Sequence, residues 1–190
     1  VSVGRTANCK FLINVLFKND VLNDGVGEVW IQYAENNILR NNIFFCTGQN
    51  ILLYSEAGNI NNTLDYNQWY TAAGAGSAQF IWRSVFYGSF TAYRNGTGQD
   101  ANSQFGNPLF VSAAAADFHV AANSPVINKG DPAFVPDVGE VDIDNQPRLS
   151  GGRVDIGADE IQQNSTPSLT INNVTVTEGN SGTVTASFTV

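Results

Sequence analysis

The sequence predicts an all-β chain built as a solenoid of short strands, a β-helix, and three observations carry that expectation. Short runs rich in Val, Ile, Leu and aromatic residues alternate with Asn, Gly and Asp over residues 1–70. The runs recur in register. Laying "FLINVLF" (11–17) over "LRNNIFF" (39–45) puts Asn14 over Asn42, Val15 over Ile43 and Phe17 over Phe45, an offset of 28. No helical period survives across the intervening Gly and Asn, and a period of about 20–50 residues marks stacked repeats.

Taken in order, "KFLINVLF", "EVWIQYA", "NILRNNIFF", "NILLYS" and "TLDYNQWY" each read as strand. Continuing the alignment to "TLDYNQW" (63–69) places Asp65 under Asn42 at an offset of 23. Asn14, Asn42 and Asp65 are therefore expected to stack on successive repeats, where side-chain polar groups satisfy the backbone of a bend. Residues 71–110 break the repeat. "TAAGAGSAQF" reads as a loop, since its Gly-x-Gly lacks the third glycine and following helix that phosphate binding needs. "FIWRSVFYGSF", "TGQDANSQFGNPLFVS" and "DFHVAANSPVINKGDP" read as short extended pieces of a capping region, punctuated by Pro108, Pro125, Pro132 and Pro136. From Ser165 onward the only charge is Glu178, and "LTINNVTV" and "GTVTASFTV" alternate with period two about the turn "TEGNSG", as a hairpin does. The expected division is 1–161 for the repeats and cap, 162–167 for a linker, and 168–190 for the first strands of a truncated β-sandwich, since two strands cannot close one. The chain opens inside strand-like sequence, which reads as a piece of something longer.

Composition narrows the function. Net charge is −8 and no basic run occurs, which argues against nucleic acid, whose phosphates need clustered Lys and Arg. No stretch reaches the roughly 20 apolar residues of a membrane span. Charged residues are only 14% of the chain, and "NN" pairs stand at 36–37, 41–42, 61–62 and 172–173, so amides solvate the surface. Cys9 and Cys46 have no metal-ligand spacing and lie in apolar surroundings, where buried thiols are expected ahead of a disulfide. The sequons at Asn61, Asn95, Asn164 and Asn173 are what an Asn- and Thr-rich chain yields by chance.

The Asn-bearing repeats, then "LDYNQWY", "TGQDANSQFGNPLF", "DFHVAANSPVINKGDP" and "VDIDNQPRLSGGRVDIGADE", resemble the C-terminal end of secreted right-handed parallel β-helix proteins of the pectate-lyase-like superfamily, over about residues 8–161. "PSLTINNVTVTEGNSGTVTASFTV" resembles the first strands of a Calx-beta domain, a module appended to large secreted and surface proteins. The resemblance implies a three-faced solenoid, a secreted or cell-surface location, further domains in the same longer chain, and a polysaccharide or cell-surface glycan as partner. Members of the superfamily bind or cleave acidic polysaccharides along one face, the lyases by β-elimination with a Lys or Arg base and a carboxylate-bound Ca²⁺. Others are adhesive or structural surface modules, and the fold alone does not choose between binding, lyase and spacer roles.

Three sets of residues are candidates for chemistry. Asp142, Asp144, Asp155, Asp159 and Glu160 crowd the stretch "DIDNQPRLSGGRVDIGADE" (142–160) and could ligate Ca²⁺ through Asp142, Asp144 and Asp155. "DIDNQ" departs from an EF-hand loop, with Pro147 at the sixth position and Arg153 at the twelfth. The competing reading is a closing cap over the final repeat, in which Arg148 or Arg153 pairs with Asp144, Asp155 or Asp159. Trp69, Tyr70, Trp82, Tyr87 and Tyr93, with Phe86 and Phe90 nearby, could stack on sugar rings if exposed, or fill the core if buried. For lyase chemistry Lys18 is the first candidate base, set beside Asp20 and Asp24, with Lys10, Arg40, Arg83 and Arg94 behind it. His119 in "DFHVA" has no Ser or Cys partner motif and reads as a half-exposed strand residue.

Overall fold

The apolar runs form strands of three to five residues, and a residue at positive φ breaks three of the five runs in two. The computed structural model describes residues 1–20, 25–46, 48, 51–163, 173–177, 179–183 and 185–187. "KFLINVLF" splits at Ile13 (φ 60°) into β2 (Lys10–Leu12) and β3 (Val15–Phe17). "NILRNNIFF" splits at Asn41 (φ 58°) into β5 (Ile38–Arg40) and β6 (Ile43–Phe45), and "TLDYNQWY" at Tyr66 (φ 54°) into β8 (Thr63–Asp65) and β9 (Gln68–Tyr70). With β1 (Ser2–Gly4), β4 (Val29–Gln32), β7 (Ile51–Ser55), β10 (Gln79–Trp82) and β12 (Gln104–Phe105), they make three parallel ladders, β1–β4–β7–β10, β2–β5–β8 and β3–β6–β9–β12. The fold is all-β; the first three repeats each contribute one strand to each ladder, and the fourth, β10 and β12, contributes to the first and third ladders alone.

Asparagine holds the repeats in register. Asn14 donates through its backbone N–H (3.0 Å) and Nδ2 (3.1 Å) to Asn42 Oδ1, and Asn42 donates in the same way to Asn67 Oδ1 (3.0 and 3.1 Å). A second column runs from the Cys9 N–H to Asn37 Oδ1 (2.8 Å) and from Asn37 to Asn62 Oδ1 (3.0 and 2.9 Å). The "NN" pairs now have a division of labour. The first Asn of each (Asn36, Asn41, Asn61) takes φ of 51–58°, which Asn tolerates well, and the second (Asn37, Asn42, Asn62) is the buried rung.

The third rung is Asn67, not Asp65. Repeats are offset by 28 residues and then by 25, so Arg40 pairs with Asp65 and Ile43 with Gln68. A slip of two residues preserves the in–out alternation of a strand, so matching apolar positions could not detect it. Asp65 instead faces outward and accepts from the N–H and Nδ2 of Asn102, both at 2.8 Å.

Inside the ladders side chains stack in columns, Phe11–Leu39–Leu64, Leu16–Phe44–Trp69–Phe105 and Val29–Leu53–Phe80, with the Phe44 and Trp69 rings 4.3 Å apart. The end of this stack is closed by a segment of which only "FIWRSVFYGSF" is expected to be extended. Arg83 and Ser84, both at positive φ, turn β10 into the antiparallel β11 (Val85–Tyr87), and helix α1 (Phe90–Thr97) follows. Ser89 caps α1 through Oγ to the Ala92 N–H (3.1 Å), and Gly98 ends it at φ 71°. The helix lays Tyr93 flat on Phe80 (4.5 Å, 7°) and Phe90 against Phe105 (5.6 Å).

Residues 107–161 form no further repeat. The antiparallel pair β13 (Phe110–Ser112) and β14 (Asp117–Val120) and the segment 124–161 fold back along the outer face of β3 and β6. There Ile43, Val120, Val126 and Ile156 form a second apolar cluster with Val15, Phe45 and Phe110. The capping segment thus covers the flank of the earliest repeats, while α1 covers the end. Gly157 (φ 105°) is required at the contact, since a Cβ there would lie 2.5 Å from Ile43 Cδ1. Cys46 is buried and Cys9 is exposed, and both thiols are free. Cys9 departs from the expected buried thiol because its backbone N–H, not its side chain, faces the neighbouring repeat. The hairpin expected after the linker falls partly outside the described residues. Its described residues 173–176, 182, 183 and 185–187 carry no strand.

Two substitutions test these assignments by urea unfolding. Asn42→Ala leaves the Asn14 N–H and the Phe11 carbonyl without their partner and should cost about 3 kcal/mol, more than Asn14→Ala at the half-exposed end of the column. Ile156→Ala should cost about 2–4 kcal/mol and Arg153→Ala roughly 1 kcal/mol, the flank being held mainly by apolar contact.

Candidate functional site

The outward residues of β2 and β5 face a wall made by residues 131–140, and the two enclose a groove of about 410 Å³. Period-two alternation sends Phe11 and Leu39 into the core and leaves Lys10, Leu12, Ile38 and Arg40 on the groove floor. The wall contributes Asp131, Phe134, Asp137 and Glu140. Its position is fixed by the αL residue between β5 and β6, because Asn41 Oδ1 accepts from the Asp131 N–H at 2.7 Å. Arg40 Nη1 reaches Asp131 Oδ2 at 2.6 Å, and the buried Arg40 Nε has no hydrogen-bond partner among the described residues. The groove thus combines apolar patches with two cations and three carboxylates.

The sequence candidates land elsewhere, and several are corrected. Trp69 and Tyr93 are fully buried and cannot stack on a sugar. Trp82 and Tyr87 pack against the same core, and Tyr70 lies against Phe45 at 4.7 Å. Trp69 Nε1 and the Tyr93 hydroxyl donate to Asp100 Oδ2 (3.2 and 3.1 Å), so their polar tips serve a buried carboxylate. Asp100 also accepts from Asn67 Nδ2 (3.0 Å) and Ser103 Oγ (2.5 Å), and burial raises its pKa. Lys18 is an exposed bend residue at φ 53°, its ammonium 5.0 Å from the Phe17 ring, and no carboxylate among the described residues forms an ion pair with it.

In the stretch 142–160, Asp142, Asp144 and Asp155 do not converge on one point. Asp142 Oδ1 accepts from the N–H groups of Asp144 (2.9 Å) and Gln146 (2.8 Å), closing a turn whose Asn145 stands at φ 61°. Asp155 spends both oxygens on backbone N–H groups, of Asn128 (2.6 Å) and Ile161 (2.9 Å). Glu160 accepts from the N–H groups of Ser150 and Asp155 (2.8 Å each), and burial pushes its pKa up to about 7. The arginines pair with carbonyls rather than carboxylates. Arg148 donates to Gly157 and Ala158, Arg153 to Gly130 and Lys129, because irregular chain leaves those carbonyls outside any ladder. The cluster is chiefly a set of backbone caps.

The exception is Asp144, which joins His119. His119 Nε2 lies 3.0 Å from Asp144 Oδ1, and Nδ1 lies 2.5 Å from Asp117 Oδ1. Asp159 is buried beside them, with Oδ2 accepting from the Val120 N–H at 2.7 Å. The Asp117 contact, followed by the Asp144 contact, raises the His119 pKa to about 9. Neither the groove nor this cluster was visible in the sequence. One signal could have found the second, the "DFH" spacing that lets Asp117 reach its own strand neighbour but one.

The chain is 27% identical over 124 residues to the uncharacterized protein YwoF of Bacillus subtilis (strain 168). The match takes in 64% of this chain and 26% of that protein, so the chain spans about a quarter of its relative's length. No family model matches the chain, and no solved structure matches it.

His119 gives a direct check on this geometry. Its folded pKa lies above the ordinary 6.5, so its contacts contribute stability in full below about pH 6.5 and lose it as pH rises through about 9. An NMR titration of the imidazole should show a midpoint near 9, lowered more by Asp117→Asn than by Asp144→Asn.

Proposed function

We propose that the chain is the C-terminal part of a right-handed parallel β-helix from a secreted or cell-surface protein, and that the groove over β2 and β5 binds carbohydrate. Three parallel ladders, visited in turn by the first three repeats, support the β-helix reading. Within it, residues 162–167 are a linker and 168–190 the start of a Calx-beta-like domain. The carbohydrate reading rests on the groove. A sugar presents apolar C–H faces and a rim of hydroxyls, and Leu12, Ile38 and Phe134 meet the first while Lys10, Arg40, Asp137 and Glu140 meet the second. Two cations against three carboxylates leave the groove slightly negative, which favours a neutral glycan over a uronate.

A lyase reading draws on the same groove, because basic and acidic side chains face one another across it. Lys10 would be the base, Arg40 being held by Asp131. A panel of neutral and uronate polysaccharides titrated against the full chain separates these readings. The expected result is binding of a neutral glycan, at least tenfold weaker in Lys10→Ala and in Phe134→Ala. Preference for uronates with release of unsaturated, ultraviolet-absorbing ends would replace binding by lyase activity. Absence of any binding would leave a structural spacer and defeat both.

A further inference from the structure

We propose that His119, Asp144 and Asp159 form a site for a divalent transition metal of the zinc class, separate from the groove. One ligand atom from each lies within 4.8 Å of the others. Two ligands on a tetrahedral zinc stand roughly 3.4 Å apart, given bonds of about 2.0–2.2 Å, and His119 Nε2 and Asp144 Oδ1 are already 3.0 Å apart. Asp144, 46% exposed at its side chain, has room to adjust to an ion placed among the three.

Each ligand is prepared by a neighbour. Asp117 holds Nδ1 and keeps a proton there, so an ion that displaces the Nε2 proton would meet the lone pair on Nε2, the arrangement an outer carboxylate gives a metal-binding imidazole. Asp142 folds the turn that aims Asp144 at His119.

Asp159 brings the third ligand from a buried position. Its residue is 4% exposed, one oxygen is fixed by the Val120 N–H, and the other takes no hydrogen bond among the described residues. No Arg or Lys among the described residues forms an ion pair with it. A carboxylate placed this deep gains from positive charge beside it, and an ion held jointly with His119 and Asp144 would supply that charge. One imidazole with two carboxylates suits zinc or manganese better than Ca²⁺, which prefers six to eight oxygens. Three protein ligands leave a coordination position open toward the cavity of about 550 Å³ lined by Asp117, Phe118 and His119. The ion would tie β14 to the turn at 142–147 and to the irregular segment at 157–160.

The test is calorimetric titration of the full chain, freed of metal by chelator and dialysis, with zinc chloride and separately with calcium chloride. The variants are Asp144→Asn, His119→Ala and, as a control in the groove, Asp137→Asn. The expected result is one Zn²⁺ per chain, bound at least tenfold more weakly by Asp144→Asn and His119→Ala and unchanged in Asp137→Asn. Cobalt in place of zinc should give a visible absorption band that His119→Ala abolishes. Asp144 is exposed, so its variant decides the matter even if His119→Ala does not fold. Undetectable zinc binding would leave a protonated His119 as the counter-ion of Asp117 and Asp144 and overturn the proposal. Binding equal in Asp144→Asn and wild type would mark an adventitious surface metal, and Ca²⁺ bound more tightly than Zn²⁺ would overturn the assignment of metal class.

Discussion

The column Asn14–Asn42–Asn67–Asp100 is the contact on which the other layers depend. Each Asn places one amide hydrogen on the next member, so the side-chain dipoles align along the stack, as peptide dipoles do in a helix. The last member must accept, and here four donors converge on it, which suits a group that only accepts. Asp100 is that group, meeting Asn67 Nδ2 together with Ser103, Trp69 and Tyr93. A neutral amide there would face donors with a donor. The carboxylate therefore fixes where the stack stops, and α1 is seated by the same residue through Tyr93.

The register set by this column also sorts the apolar side chains. β3 and β6 are apolar on both faces because one face fills the core and the other meets the flank segment. β2 and β5 have only one apolar neighbour layer, and their outer face keeps the Lys, Arg and open space that the groove uses. The most promising surface thus arises from an inequality between ladders, not from any motif.

Much of the fold was legible because strand sequence repeats. The runs "KFLINVLF" and "NILRNNIFF" were found, and Asn14 does sit on Asn42. What escaped was the bend inside each run, since a positive φ at Ile13 or Tyr66 leaves no trace in residue type, whereas at Asn41 it does. The end-closing role of α1 escaped for a different reason. "FTAYRNGT" contains Gly96 and two Thr, poor helix formers, and owes its helix to the Ser89 and Gly98 caps and to packing on Phe80. The candidate sites were less legible still. Arg40 meets Asp131 across 91 positions and His119 meets Asp144 across 25, separations that no local pattern encodes. The carboxylate run at 142–160 drew attention by density, yet most of its members only cap irregular backbone.

The flank has a consequence for how the chain comes together in time. The outer face of β3 is finished by Ile156 and its neighbours, and Asn41 receives the N–H groups of Asp131 and Gly157. During synthesis the first repeats would emerge with Val15, Ile43 and Phe45 bare, and would wait for more than a hundred further residues before that surface is covered. Closing loops of this length is slow compared with pairing neighbouring strands. A chain cut before residue 156 would leave part of that apolar face uncovered.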